Sequence, residues 1–460
     1  VYNRSMLFAH ELRARGVDAG ERVIILYENS IEFFIAYYAV WHAGGIVVPL
    51  NVFLVQHEIE HIVQDSKPIA LIVSPSLREK LDHLPPEVLA TVITTIDMHT
   101  PVPRQVEKIP YSPKNPHDMV ALLYTSGTTG FPKGVMLSSS NIITNVIQAI
   151  SRFDAEYGDR ILCALPLFHS FPQATCMWMA PLVGGSVIIV PKIERKMLFK
   201  GASKKPTFVI AVPALYGLMC LLRIPLTKVR YFISGGDALS DKIRGYFQLL
   251  YGRKLSNGYG LTETTPFIAV DNDDFTQPTN TIGRPLPGIS CSIQDEQHNE
   301  LPKGSIGILW VKGGNVMLGY YNAPEATAAI MHNGWLNTGD LAYIDVNDKL
   351  VLAGREKDLI SNKGLKIYPQ EIENVLLSHP AVIQAGVIGI KEGEEEFPVA
   401  FVAARDSSPD ILIKELKTLC INKLAPYKIP RYFYVQKELP VTATGKINKK
   451  LLRDEIAVKS

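Results

Sequence analysis

Tyr124 to Gly134, YTSGTTGFPKG, gathers four Ser/Thr hydroxyls, three glycines and one lysine into eleven residues. Glycines let a backbone approach an anion closely and turn its N–H groups inward, hydroxyls add donors, and Lys133 adds a positive charge. The loop follows an apolar strand candidate, Met119 to Leu123. Strand, glycine-rich loop and lysine together predict a phosphate cradle. It is not a Walker loop, because the G-x-x-x-x-G-K-[ST] spacing cannot be placed on Gly127, Gly130 and Lys133.

The loop is the first of seven blocks that occur in a fixed order. It is followed by PLFHSF (Pro166 to Phe171), SGGDALS (Ser234 to Ser240), NGYGLTET (Asn257 to Thr264), NTGDLAYID (Asn337 to Asp345), GREKDLISNKGLKIYPQEIE (Gly354 to Glu373) and PVTATGKI (Pro440 to Ile447). In these blocks the chain resembles the acyl-adenylate-forming enzymes: acyl-CoA synthetases, peptide-synthetase adenylation domains and beetle luciferases. Among them it looks most like a long-chain fatty acid CoA ligase. The resemblance covers nearly the whole chain.

The resemblance implies ATP contacts at Thr125, Ser126, Gly127, Thr128, Thr129, Gly130, Lys133, Gly235, Gly236, Asn257, Gly258, Tyr259, Gly260, Thr262, Asp340, Arg355 and Lys357. The chemistry of these residues agrees with it. Tyr259 between glycines offers a flat face for adenine, Thr262 a phosphate donor, and Glu263 a hard carboxylate suited to Mg²⁺ beside phosphates. Asp340 and Arg355 match ribose contacts of the family, and Lys357 falls where the family places its hinge. Lys446 matches the lysine of the adenylation step, where it would hold the substrate carboxylate and neutralise charge as that oxygen attacks the α-phosphorus. Lys449 and Lys450 nearby read as a solvated face. Lys363 and Gly364 would line the coenzyme A pantetheine path, and His169 would lie in the wall between acyl carbonyl, nucleotide and thiol tunnel. Thr262, His169 and Lys446 are thus the candidate catalytic residues, and Glu263 the candidate metal ligand.

Two features bear on the substrate. Amino-acid-activating relatives usually carry Asp where His169 stands, and burying a substrate ammonium without a carboxylate is costly. That favours an acid without an α-amino group, and Phe168, Phe171, Met177, Trp178 and Met179 suit a fatty or aromatic acyl group. Between Tyr216 and Ser234 the chain is shorter than in relatives with an extra helical segment beside the acyl pocket, so chain length is not read from it. Ser361 also departs from the family, which often has lysine there.

The elements that must carry these residues follow from the apolar pattern. Phe33 to Leu50 and Pro172 to Pro191 lack charge over a length that could suggest membrane spans, but a Gly-Gly pair splits each. Each reads as buried helix, turn and buried strand. Short apolar runs between helical patterns predict parallel strands covered by helices on both faces, in two α/β lobes. Past Asp271, closely spaced glycines and prolines punctuate short alternating strands, which predicts a small antiparallel, β-barrel-like subdomain. The expected division is an AMP-binding N-terminal domain over 1–354 and a small, mobile α+β C-terminal domain over 355–460.

Composition excludes other classes. The 460 residues are 47% apolar and 20% charged, with a net charge of +2, unlike a disordered acidic chain or a strongly basic nucleic-acid binder. Five scattered cysteines form no C-x-x-C pair, which argues against a disulfide framework or zinc site and for a reducing, cytoplasmic compartment, with at most peripheral membrane contact. No basic segment precedes an apolar run at the start, so no secretory signal is expected, and the opening Val1 suggests an incomplete N-terminus. The expected activity is an ATP- and Mg²⁺-dependent ligase that activates a carboxylic acid, a fatty acid in the first instance, and passes it to coenzyme A. Alternatives are an acyl carrier protein as acceptor, adenylation alone, and a non-catalytic nucleotide- or acyl-binding module.

Overall fold

The first apolar stretch folds as the helix Ile31–Ala43, a turn, and the strand Ile46–Pro49. Ser30 caps the helix by accepting from the Phe33 amide at 3.2 Å, and Gly44 ends it at φ 94°, a left-handed conformation that costs glycine little. The second stretch is less regular. Gln173–Met179 winds as π-helical turns, Ala180–Leu182 closes them, and the strand Ser186–Ile189 follows. In this computed structural model the described residues are 1–460 apart from 95, 97, 99, 100, 104, 110–114, 126–130, 273–280, 363–364, 394, 405–407, 442–446 and 460. Among them, no helix is long and apolar enough to cross a membrane.

Both strands join larger sheets. The first sheet has seven strands in the spatial order Gly319–Tyr320, Lys133–Ser138, Met119–Thr125, Ile46–Pro49, Arg22–Leu26, Ala70–Val73 and Val92–Ile93. The last five run parallel, while Lys133–Ser138 turns back antiparallel on Met119–Thr125 and Gly319–Tyr320 pairs antiparallel with it in turn. The second sheet contains a parallel set, Ser256–Gly260, Tyr231–Ser234, Phe208–Ala211, Arg160–Cys163 and Ser186–Ile189. These are the two α/β lobes, with helices supplying the crossovers that parallel strands require.

The antiparallel strands that follow do not stand apart. Phe267–Asp271 pairs with Ser256–Gly260 and with Thr281–Pro285, which pairs with Leu350–Arg355. Trp335–Ile344, Gly307–Lys312 and Ser290–Gln294 extend the path. One twelve-stranded sheet therefore runs from the second lobe into the antiparallel region. The helix Ser139–Phe153 braces this joint: Asn145 exchanges hydrogen bonds with the Phe267 backbone, donating at 2.8 Å and accepting at 3.0 Å, and Asn141 donates to the Gly314 and Val316 carbonyls.

From Ile360 onward the chain packs around its own apolar clusters. Val382–Glu392 and Glu395–Ala404 form an antiparallel hairpin, Tyr432–Gln436 adds a parallel strand, and the helices Pro369–Leu377 and Pro409–Lys423 cover one face through Ile372, Leu376, Leu412 and Leu416. The other face packs Phe397 and Phe401 against Leu439 and Leu452. Lys242, on the helix Asp241–Tyr251, reaches this region from the preceding part of the chain, donating to the Pro380 and Val382 carbonyls at 3.0 Å each.

Candidate active site

Four of the sequence blocks include or follow the carboxyl end of a strand with a parallel neighbour. Met119–Thr125 leads into the glycine-rich loop, Arg160–Cys163 into the block containing His169, Tyr231–Ser234 into Gly235 and Gly236, and Ser256–Gly260 into Thr262 and Glu263. The crevice outside the carboxyl ends of parallel strands is where open α/β sheets place ligands, because helix N-termini and loop amides converge there.

At the loop, Thr125 pairs with Lys133 across the antiparallel hairpin, while Ser126, Gly127, Thr128, Thr129 and Gly130 lie outside the described residues. Gly134 makes the close hairpin packing feasible: a methyl there would stand 2.8 Å from Leu122 and 3.2 Å from the Tyr124 ring. The Tyr124 hydroxyl donates to Asp65 at 2.5 Å, and Asn322 donates to the other oxygen of Asp65 at 3.0 Å. Burial and the Asp65 carboxylate push the Tyr124 phenol far above its ordinary pKa, so it remains a donor.

Three separate segments meet around Glu263. Its turn is fixed from within, since Thr264 Oγ1 donates to the Pro266 carbonyl at 2.9 Å and Asn315 donates to the Thr264 carbonyl at 2.9 Å. Tyr320 donates from its hydroxyl to Glu263 Oε1 at 2.8 Å, and the Lys133 ammonium lies 5.4 Å from the centre of the Tyr320 ring. Thr262 and Ser170 share a hydroxyl–hydroxyl bond of 3.2 Å, which joins this turn to the block that carries His169. The His169 ring lies 4.3 Å from that of Phe168, at the start of the buried π-helical stretch. Buried side chains hold that stretch: Tyr37 donates to Gln173 at 3.0 Å and accepts from Trp178 at 3.2 Å.

A second cluster lies on the neighbouring strands. Asp340, almost fully buried, accepts the Tyr259 hydroxyl at 2.5 Å on one oxygen and pairs with Arg355 Nε at 2.6 Å on the other. Burial by itself would lower the Arg355 pKa, but Asp340 and Tyr259 hold it above the ordinary range. Lys357, two residues on, is pulled below the ordinary lysine range by burial and by the Arg355 charge. Asn257 donates to the Thr281 carbonyl at 2.9 Å, and a methyl on Gly258 would stand 3.4 Å from the Ser234 carbonyl oxygen. Gly235 faces Phe171, whose ring would be 3.1 Å from an added methyl, and Gly236 adopts φ 82°. A methyl on Gly260 would overlap the Pro266 carbonyl oxygen.

The structure thus brings together Lys133, Thr262, Glu263 and the block of His169, and separately Tyr259, Asp340 and Arg355 beside Lys357. Lys363, Gly364 and Lys446 lie outside the described residues. Lys449 differs from the solvated residue expected of it: it bonds Glu373 at 2.8 Å and faces Asp358 at 3.6 Å with a side chain only 20% exposed, and although burial by itself would lower its pKa, Glu373 and Asp358 hold it above the ordinary range. Lys450 is exposed, as expected. Tyr320 was not singled out from the sequence. Its Gly-Tyr-Tyr setting carries no chemical signal, and Glu263 is 57 residues away in sequence.

Known proteins resemble the chain over nearly its whole length. Residues 1–321 match the family described as AMP-binding enzyme, and residues 371–446 match the AMP-binding enzyme C-terminal domain. The chain belongs to the AMP-binding enzyme family. It is 32% identical to a long-chain-fatty-acid–CoA ligase of Bacillus subtilis, over 96% of this chain and 87% of that protein. A 4-coumarate–CoA ligase of Humulus lupulus is 31% identical over 96% of this chain and 85% of its own length. Among solved structures, the o-succinylbenzoate coenzyme A synthetase of Bacillus subtilis in complex with ATP and magnesium ion superposes with a TM-score of 0.87, at 29% identity, covering 98% of this chain and 93% of that one.

Proposed function

We propose that the protein is an ATP-dependent acid:thiol ligase that converts a fatty acid to its CoA thioester through an acyl-AMP. The observation that carries this reading is that blocks far apart in sequence meet in two clusters, Lys133, Thr262 and Glu263 around Tyr320 and the Tyr259–Asp340–Arg355 group, with the Glu263 charge among those that hold the Arg355 pKa up. The similarity to ligases that use coenzyme A supports the acceptor. Those relatives are named for different acids, so the fatty acid rests on this chain's own residues. The buried apolar wall of Phe168, Met177, Trp178 and Met179 suits an alkyl chain, and the block around His169 contains no carboxylate to pair with an ammonium.

In the first step a carboxylate oxygen attacks the α-phosphorus of ATP and pyrophosphate departs. Lys133 and the loop amides bind the outer phosphates, and Thr262 donates to the phosphate that becomes AMP. The ribose is oriented by Asp340 and Arg355, and adenine lies against Tyr259 and the glycines at 235, 236, 258 and 260. Glu263 fits a divalent cation, being a hard carboxylate whose turn is pinned by Thr264 and Asn315. When bound, Mg²⁺ neutralises phosphate charge and orients the triphosphate. Lys446 holds the acid's oxygen and offsets its developing charge. In the second step the thiol attacks the acyl carbonyl and AMP leaves, with His169 in the wall beside it. The chain divides at 354/355, with Lys357 as hinge, and the C-terminal domain turns to bring Lys363 and Gly364 to the pantetheine. With palmitate, MgATP and CoA, mass spectrometry is expected to find palmitoyl-CoA and AMP in equal amounts; AMP with free palmitate and no thioester would refute the ligase reading.

A further inference from the structure

The segment 317–321 ties the two sides of the proposed phosphate site together. Its Met317 amide donates to the Glu263 carbonyl at 2.9 Å, and its Tyr321 amide donates to the Gly134 carbonyl, next to Lys133, at 2.8 Å. Tyr320 lies between these anchors. It pairs with Val135 in the sheet, its amide donates to Thr327 at 2.9 Å, and its side chain spans the space between Lys133 and Glu263. The backbone of Tyr320 is therefore fixed on both sides, and its phenol has a fixed reach.

We infer that Tyr320 is a positioning residue for the metal carboxylate: its hydroxyl occupies Glu263 Oε1 and so presents the other oxygen to the cation, while its ring seats the Lys133 ammonium. This rests on the reading of Glu263 as a ligand of the nucleotide-bound magnesium. A free glutamate rotates about its terminal torsion and can offer either oxygen, whereas one that accepts from a fixed donor is held to one presentation. The ring face, in turn, is an electrostatic seat for an ammonium that would otherwise swing in solvent. One side chain thereby sets the spacing between the cation site and the lysine that share the same triphosphate.

Tyr320→Phe separates these roles, since it removes the hydroxyl and keeps the ring. Binding of Mn²⁺, as a paramagnetic substitute for Mg²⁺, is measured by electron paramagnetic resonance on the enzyme complexed with α,β-methylene-ATP. Affinity is expected to fall roughly 10-fold, the lower end of the effect of removing a partner of a metal ligand. Affinity for the nucleotide in EDTA and the thermal midpoint should remain within about twofold and a few degrees of wild type. Glu263→Gln is run beside it. If Glu263→Gln weakens Mn²⁺ binding and Tyr320→Phe does not, Tyr320 has no positioning role and the inference falls. If neither variant changes Mn²⁺ binding, the assignment of Glu263 itself falls. Equal loss of nucleotide affinity with and without metal in Tyr320→Phe would also overturn the inference, because it would mark a general structural defect.

Discussion

Asp340 holds Arg355 and Tyr259 at once, Arg355 at 2.6 Å on Oδ1 and Tyr259 at 2.5 Å on Oδ2. Both of its oxygens are engaged before any ligand arrives, so ribose hydroxyls would meet a carboxylate whose orientation is already set. Pre-organisation of this kind lowers the ordering cost of binding.

Asp340→Ala is expected to lose ATP affinity by at least 10-fold and to lower unfolding free energy by about 1–3 kcal/mol, since Tyr259 loses its buried acceptor. Tyr259→Phe should cost less than half as much stability, because it removes a donor and leaves Asp340 paired with Arg355. Denaturant titration of both variants checks the order, and equal losses would contradict it.

Gly260→Ala is expected to be among the most damaging single-methyl changes in the chain. The added carbon overlaps the Pro266 carbonyl oxygen, and backbone yields less readily than a side chain. A loss above about 4 kcal/mol, or failure to accumulate folded protein, follows. At Gly258 the nearest atoms to an added methyl are 3.4 Å away, so Gly258→Ala should be tolerated far better.

Lys449→Met tests the ion pairs with Glu373 and Asp358. Losing the buried ammonium deprives Glu373 of this counter-charge and leaves Asp358 paired with Arg453, and a destabilisation of about 2 kcal/mol at pH 7 is expected, below the value for a fully enclosed pair because the site keeps some exposure. The pH dependence has a definite sign. The folded-state pKa is raised, so the contribution is complete below the ordinary lysine value of about 10.4 and is lost as pH climbs through the higher folded value. Wild type and variant should therefore converge in stability only above that point, and convergence on acidification from pH 7 to 5 would contradict the assignment.

Much of this was legible in the sequence because the signals were local. The Gly44-Gly45 pair ends a helix that a membrane reading would have run on into the strand, and YTSGTTGFPKG marks a loop after a strand by composition. What was not legible depends on contacts between distant residues. Tyr320 meets Glu263 across 57 residues, and no periodicity connects them. Lys449 looks like part of a charged helix face, and only the fold shows Glu373 and Asp358 against it. The antiparallel strands past Asp271 read from composition as a small β-barrel-like subdomain, but their pairing with the second lobe, through Ala269 and Pro285, is a matter of register between strands and was not legible.

Lys446→Ala separates the two half-reactions. ATP–pyrophosphate exchange is expected to fall by roughly 10²–10³, the usual effect of removing one preorganised charge donor. Conversion of supplied acyl-AMP and CoA to thioester should stay within a few-fold of wild type. Equal loss in both would contradict the assignment of Lys446 to adenylation alone.

The most direct measurement is ATP–pyrophosphate exchange with acetate, medium- and long-chain fatty acids, benzoates and amino acids, followed by addition of CoA to whichever acids support exchange. Exchange with fatty acids, no exchange with amino acids, and release of the fatty acyl-CoA thioester is the predicted result. Exchange that fails with every fatty acid, or that yields no thioester once CoA is present, would contradict a fatty acid:CoA ligase built on this site.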